Sequence, residues 1–320
     1  MRKFLPLAGH RRSHTGRMTT STALLYLLTV LIWGTTWIAL KLQLGVVPIP
    51  WSIAYRFWLA VAVLLAWLAW RRQWRLPPRG AWPLLVCQGL CLFCLNFMCF
   101  LHASRWLPSG LIAVCFSTAP LWNALNGRLF QKKALRPQAL AGGVLGLAGL
   151  LLLFGTEVLR DLGRVETLLG LGLAMAGTFC FSLGNLLSGA LQRQGLRPVQ
   201  TNTWAMAVGA TLLSGYALAS GAPLLFDPSP TYLGALLYLA IPGSVIGFTA
   251  YLTLVGRLGA DKAAYCTVLF PLVALNISAW VEGYHWTAGA VLGLALVLAG
   301  NVVVFWHGAV PRVWRRPAAD

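Results

Sequence analysis

Ten stretches of predominantly apolar residues follow one another along the chain, at 22–41, 50–70, 82–101, 107–130, 137–154, 168–191, 201–220, 232–254, 260–282 and 287–306. Within them the apolar positions run on without the two-residue alternation of a strand, so each predicts a helix. About 20 residues rising ~1.5 Å each cover the ~30 Å hydrocarbon core of a bilayer, which gives all ten a membrane-spanning length. The same continuity excludes a barrel, whose strands alternate and are about half as long.

The last two stretches repeat an earlier pair. Residues 260–306 hold two apolar runs joined by a polar turn at Gly283. Moved back by 151 positions, they lay Pro271 on Pro120, Leu272 on Leu121, Cys266 on Cys115, Gly293 on Gly142, Gly300 on Gly149 and Phe305 on Phe154. The chain thus divides into two copies of one five-helix unit, 22–154 and 168–306, joined by an extracytoplasmic 155–167 loop and flanked by basic tails at 1–21 and 307–320. Five is odd, so the second copy enters the membrane from the opposite side. The expected fold is all-α and integral to the membrane, ten transmembrane helices in two inverted five-helix repeats. Two similar halves in opposite orientation suit a secondary transporter, because they support states open to either side around one midplane site.

Composition agrees: of 320 residues, 58% are hydrophobic and 10% charged, with a mean hydropathy of +0.72, more apolar surface than a soluble core can bury. A net charge of +18 would point to nucleic acid if it lay on one soluble domain. Instead, all but five of the 25 Lys and Arg lie in the tails and in the connections around 71–79, 128–136, 193–197 and 257–262. The alternate connections carry only Lys41, Arg105, Arg160 and Arg164, which places both termini in the cytoplasm and leaves no nucleic-acid partner expected. The seven cysteines sit inside apolar stretches as small hydrophobes and imply no disulfide framework. Cys87, Cys91 and Cys94 share a helical face with His102 beyond, a spacing open to a soft metal or to plain packing; no metal or cofactor is expected. The first stretch lacks a following cleavage site and reads as a retained helix, with Met18 a second start beside Met1.

Chemistry is expected where polarity interrupts the stretches. Trp33, Trp37 and Lys41 stand four apart on one face of the first helix, a face of two indoles and an ammonium unsuited to lipid. Lys41 either reaches the outer interface or stands at a cavity mouth. Arg56 lies two turns inside the second helix, where an unpaired charge costs at least about 2.5–3.5 kcal/mol. Glu282 closes the ninth stretch on the same side, so an Arg56–Glu282 pair is expected; otherwise each meets lipid phosphate or water. Asn96, Asn123, Asn185 and Tyr251, with Trp33 and Trp37, are the candidates for lining a weakly polar cavity. Pro120 and Pro271 permit bends that gate it or shape its walls. Gly142, Gly146, Gly289 and Gly293 stand at the spacing that lets helices five and ten approach closely. No HExxH, Gly-x-Ser-x-Gly or phosphate-binding loop is present, so neither catalysis nor ATP hydrolysis is expected.

The order of these features resembles the drug/metabolite transporter superfamily, in its EamA-like branch. The matching residues are Trp33-Gly34-Thr35-Thr36-Trp37 with Lys41, Pro50 with Arg56-Phe57, Pro120 with Gly142 to Gly149, and Pro271 with Glu282 and Gly293 to Gly300. The resemblance implies a ten-helix inner-membrane carrier with cytoplasmic termini and a cavity formed mainly by helices one, three, four, six, eight and nine. It also implies export of amino acids, other metabolites or toxic compounds. In one departure, the first repeat of such proteins usually ends its fourth helix with a glutamate, where this chain has Gln131, Lys132 and Lys133.

The expected function is therefore a secondary carrier, and not an enzyme, for a small amphipathic metabolite. Its partners are the substrate and the lipid bilayer, with oligomeric state left open. A lipid-processing enzyme, an assembly subunit or a flippase for lipid-linked substrates would share the basic face; the inverted repeat favours the carrier.

Overall fold

A computed structural model describes residues 20–134, 137–160 and 165–305; residues 1–19, 135–136, 161–164 and 306–320 lie outside these. Every regular element among the described residues is helical, in ten columns. In the first unit these are α1 (Thr20–Leu42), α2 (Ile49–Trp70), α3 (Arg79–Ala103), α4 (Ser109–Phe116 and Ala119–Gln131) and α5 (Pro137–Arg160). In the second they are α6 (Val165–Arg193), α7 (Pro198–Ala219), α8 (Pro230–Leu258), α9 (Ala260–Ala263 and Tyr265–Val281) and α10 (Ala288–Phe305).

By length and composition α1, α2, α3, α6 and α8 can each cross a membrane, while α5, α9 and α10 hold shorter apolar stretches at Ala141–Leu153, Leu269–Val281 and Ala288–Gly300. Leu31, Trp58, Leu151 and Trp280 are among the large apolar side chains pointing outward from the bundle.

The stretch expected as one helix at 107–130 is broken. Pro120 has no N–H to bond the Phe116 carbonyl, and the hydroxyls of Ser117 and Thr118 bond back to the carbonyls of Val114 (2.7 Å) and Cys115 (2.6 Å), drawing the chain into a turn. Pro271 instead lies inside the unbroken Tyr265–Val281 piece of α9.

The principal neighbours cross between the two units. α5 pairs with α10, α2 with α7 and α4 with α9, while α3 packs on α6 and α7, and α1 on α8 and α9. Exchanging each helix for its counterpart five places on returns the same set: α3 on α6 becomes α8 on α1, and α1 on α9 becomes α6 on α4. The bundle therefore has a pseudo-two-fold arrangement. One pair of local irregularities obeys it too, since α3 and α8 both contain wide π-helical turns, at Gly89–Leu95 and Leu239–Phe248. Such turns offer backbone carbonyls to side chains and recur at functional sites.

α5 and α10 touch backbone to backbone. A Cβ added at Gly149 would lie 2.5 Å from the Gly293 carbonyl oxygen, and one at Gly300 would lie 2.5 Å from the Gly142 carbonyl oxygen, two contacts that exchange under the pseudo-two-fold. A Cβ at Gly146 would meet nothing.

Candidate functional site

Where the two units face each other at mid-depth, α1 supplies two indoles one turn apart. Trp33 donates its ring N–H to the Gly243 carbonyl in the π-helical turn of α8 (3.0 Å), an approach that the missing side chain of Gly247 permits. Its ring packs against Phe248 (4.6 Å between centroids), Tyr251 (4.9 Å), Phe181 (6.0 Å) and Phe270 (6.0 Å). Trp37 meets Phe100 and Phe116, each at 5.2 Å. The rings of Trp33, Trp37, Phe100, Phe116, Phe181 and Phe248, with Thr36, Arg56, Asn96 and Phe97, surround a space of about 30 Å³, room for one water molecule and not for a metabolite.

Arg56 is 3% exposed and enters this space from α2. Its Nε donates to Ser244 Oγ at 2.9 Å, and its guanidinium lies 4.3 Å from the ring centre of Phe97 and 5.2 Å from that of Phe57. Among the described residues nothing accepts from its Nη1, nor from the buried ring N–H of Trp37. The expected Arg56–Glu282 pair is thus corrected: Arg56 turns toward the hydroxyl that the π-helical turn of α8 presents, and Glu282 is already held by another cation.

That cation is Lys41, whose Nζ lies 2.7 Å from Glu282 Oε1. Both carboxylate oxygens also accept from the Ser109 backbone N–H at 3.1 Å, and the Ser109 hydroxyl donates to Oε2. Ser109 opens α4 after Pro108, where helix amides lack intrahelical acceptors, so the carboxylate caps that terminus while Lys41 complements the C-terminal dipole of α1. One carboxylate just past the end of α9 therefore ties three helix ends together. Burial pushes its pKa up, but the Lys41 ammonium and the Ser109 donors outweigh burial and hold it below the ordinary carboxylate value. A depressed folded-state pKa means that the stabilisation is present above the usual carboxylate range and is lost as pH falls through the lowered value, so the latch persists at neutral pH.

The opposite end differs. The pseudo-two-fold counterparts of Lys41, Ser109 and Glu282, 151 positions away, are Gln192, Ala260 and Gln131. Among the described residues no ion pair ties this end, and a cleft of about 410 Å³ opens there, lined by Gln131, Lys133, Asn185, Gln192, Gly256 and Ala260. Asn185 donates to the Tyr251 hydroxyl at 3.0 Å. This pair, with Trp33, forms the layer between cleft and central space. A separate hollow of about 520 Å³ lies near the start of α7, lined by Arg72, Arg75 and Arg197.

Of the candidates read from the sequence, Trp33, Trp37 and Asn96 meet Arg56 around the central space, where Asn96 also donates to the Gly177 carbonyl at 2.8 Å. Asn123 lies elsewhere, donating to the Ala260 carbonyl at 3.3 Å near the start of α9. Cys87 is exposed and Cys94 buried, because the π-helical turn between them rotates the register off a shared face; among the described residues no three metal-ligating side chains converge. Sequence reasoning passed over Phe97, Phe100, Phe116, Phe181 and Phe248. A sign of three of them was present: Phe97 and Phe248, and Phe100 and Tyr251, stand 151 apart.

Comparison with known proteins gives a consistent picture. The model of the EamA-like transporter family matches residues 20–155 and again 168–306. An uncharacterized transporter of Archaeoglobus fulgidus is 29% identical over 273 residues, covering 81% of this chain and 91% of that protein. A probable amino-acid metabolite efflux pump of Escherichia coli is 24% identical over 307 residues, 92% of this chain and 99% of its own length. The uncharacterized inner membrane transporter YedA of Escherichia coli is 28% identical over 283 residues, 84% and 87% of the two chains. A solved crystal structure at 21% identity superposes with a TM-score of 0.64, covering 90% of this chain and 98% of that one, a likeness of fold.

Proposed function

Because the chain belongs to the EamA-like transporter family, we propose that it is a secondary carrier that exports a small metabolite across the inner membrane by alternating access. The observation that carries this reading is the contrast between the two ends of the central space. One end is latched by Lys41, Ser109 and Glu282, and the pseudo-symmetric end opens into the cleft beside Gln131 and Gln192. The basic connections at 71–79 and 193–197 and Arg257 lie toward the open end, which the charge bias assigns to the cytoplasm together with both termini. Substrate then enters through the cleft, passes the Asn185–Tyr251 layer and reaches the aromatic space, which must widen to admit it. The efflux pump named among the relatives supports export and a substrate related to amino acids.

Counterflow into proteoliposomes, with labelled amino acids, nucleosides, organic acids and cationic dyes and with or without a pH gradient, tests the proposal. One class is expected to show saturable counterflow. Asn185→Ala is expected to slow it about fivefold, the loss of one net hydrogen bond of about 1 kcal/mol in the layer the substrate crosses. Absence of flux for every class would sink the carrier reading.

A further inference from the structure

Resting on the carrier reading, we infer that the substrate bears a carboxylate on an apolar or aromatic body and is net anionic, with Arg56 as its counter-ion. The central space has one charged residue in its wall, and it is a cation. Its second half offers no equivalent, since the position 151 residues on is Ala207, so the space is two-fold in backbone but one-sided in charge.

Two buried polar atoms that line this space lack acceptors, Arg56 Nη1 and Trp37 Nε1, and both are donors only. A guanidinium buried without an anion carries the desolvation cost of its charge, here eased by one hydroxyl and the faces of two phenyl rings. A carboxylate matches the planar guanidinium fork and relieves both deficits at once. The remaining walls are the rings of Trp33, Phe97, Phe100, Phe116, Phe181 and Phe248 with the neutral side chains of Thr36 and Asn96, a mainly aromatic lining that suits an apolar body.

The same geometry discriminates. No carboxylate lines the space, and Glu282 is committed to Lys41 and Ser109. The ammonium of a free amino acid would be desolvated there without a counter-ion, and a cationic solute would meet Arg56 directly. The order of preference is therefore anion, then zwitterion, then cation, for solutes of one shape.

N-acetylphenylalanine, phenylalanine and phenylalaninamide share a benzyl body and carry net charges of about −1, 0 and +1 at neutral pH. Binding of each to the purified full chain by calorimetry, which needs no flux, is expected to favour N-acetylphenylalanine about tenfold over phenylalanine, with phenylalaninamide weakest. Arg56→Lys should retain the order with weaker binding. Arg56→Gln should bind all three within about twofold of one another, and its folding is checked by thermal unfolding. Equal affinities in the unaltered protein, a preference for phenylalanine or its amide, or binding of none of the three overturns the inference even where other solutes are carried. Binding in the expected order without any counterflow would instead remove the carrier reading on which it rests.

Discussion

Gly149→Leu and Gly293→Leu should each abolish recovery of folded, monodisperse protein, and where a fraction survives it should unfold at least about 5 °C lower. At both positions the added side chain meets main chain rather than a side chain able to rotate: the Gly293 carbonyl oxygen at 2.5 Å in one case, the Gly149 carbonyl oxygen at 2.6 Å in the other. Overpacking typically costs about 1–3 kcal/mol and more when backbone must move, and about 2–4 °C of melting temperature accompanies each kcal/mol in a domain of 150–250 residues. Gly146→Ala is the control. It lies on the same helix within one turn, and its Cβ would meet nothing within 4 Å. It should unfold within about 2 °C of the parent or slightly above it, since alanine stabilises a helix by up to about 1 kcal/mol over glycine. Size-exclusion profiles and thermal unfolding in detergent read all three; a fully stable Gly149→Leu protein would show that α5 and α10 do not touch in this way.

Glu282→Gln should lower counterflow by about tenfold or more while the protein remains folded. The change leaves the shape of the side chain but removes the charge that draws Lys41 to 2.7 Å and two donors of Ser109 to the same carboxylate. Hydrogen bonds to charged groups contribute about 1.5–3 kcal/mol; because Lys41 is 35% exposed, screening reduces its share, and about 1–2 kcal/mol is left to shift the balance between closed and open states. A shift of 1.4 kcal/mol is tenfold in population, and a carrier held away from one of its two states turns over correspondingly slowly. Amide exchange supplies the independent readout, since the Ser109 N–H should exchange faster in the variant while amides within α5 and α10 stay unchanged. Unaltered exchange at Ser109 would mean that the carboxylate does not hold the start of α4.

Much of the fold was legible because the bilayer constrains it so tightly. Continuous apolar runs predict helices, and the coincidence of Pro120 with Pro271 and of Gly142 with Gly293 exposed the repeat. The interruptions were not legible in the same way. Ser117 and Thr118 break α4 through hydroxyl bonds to their own backbone just before Pro120, whereas Pro271 lies within the unbroken Tyr265–Val281 piece of α9, a difference set by side chains that hydropathy ignores. The π-helical turns of α3 and α8 leave no mark in apolar periodicity, yet one of them orients Ser244 toward Arg56 and so explains why the Arg56–Glu282 pair was misjudged. Polar residues drew attention to Trp33, Trp37 and Asn96, while Phe97, Phe116 and Phe181 looked like ordinary membrane residues. Their place around one space depends on which helices adjoin, and that follows from pairing between the units.

The same pairing bears on how the molecule comes into being. α5 finds its partner in α10 and α2 finds its partner in α7, so the principal packing of each unit is against the other. During synthesis the first five helices must wait in the membrane with their glycine-lined and polar faces uncovered until the second five arrive. The chain is in effect an antiparallel dimer whose subunits happen to be joined, and the short connection between α5 and α6 keeps the late subunit at the effective concentration of a tethered partner.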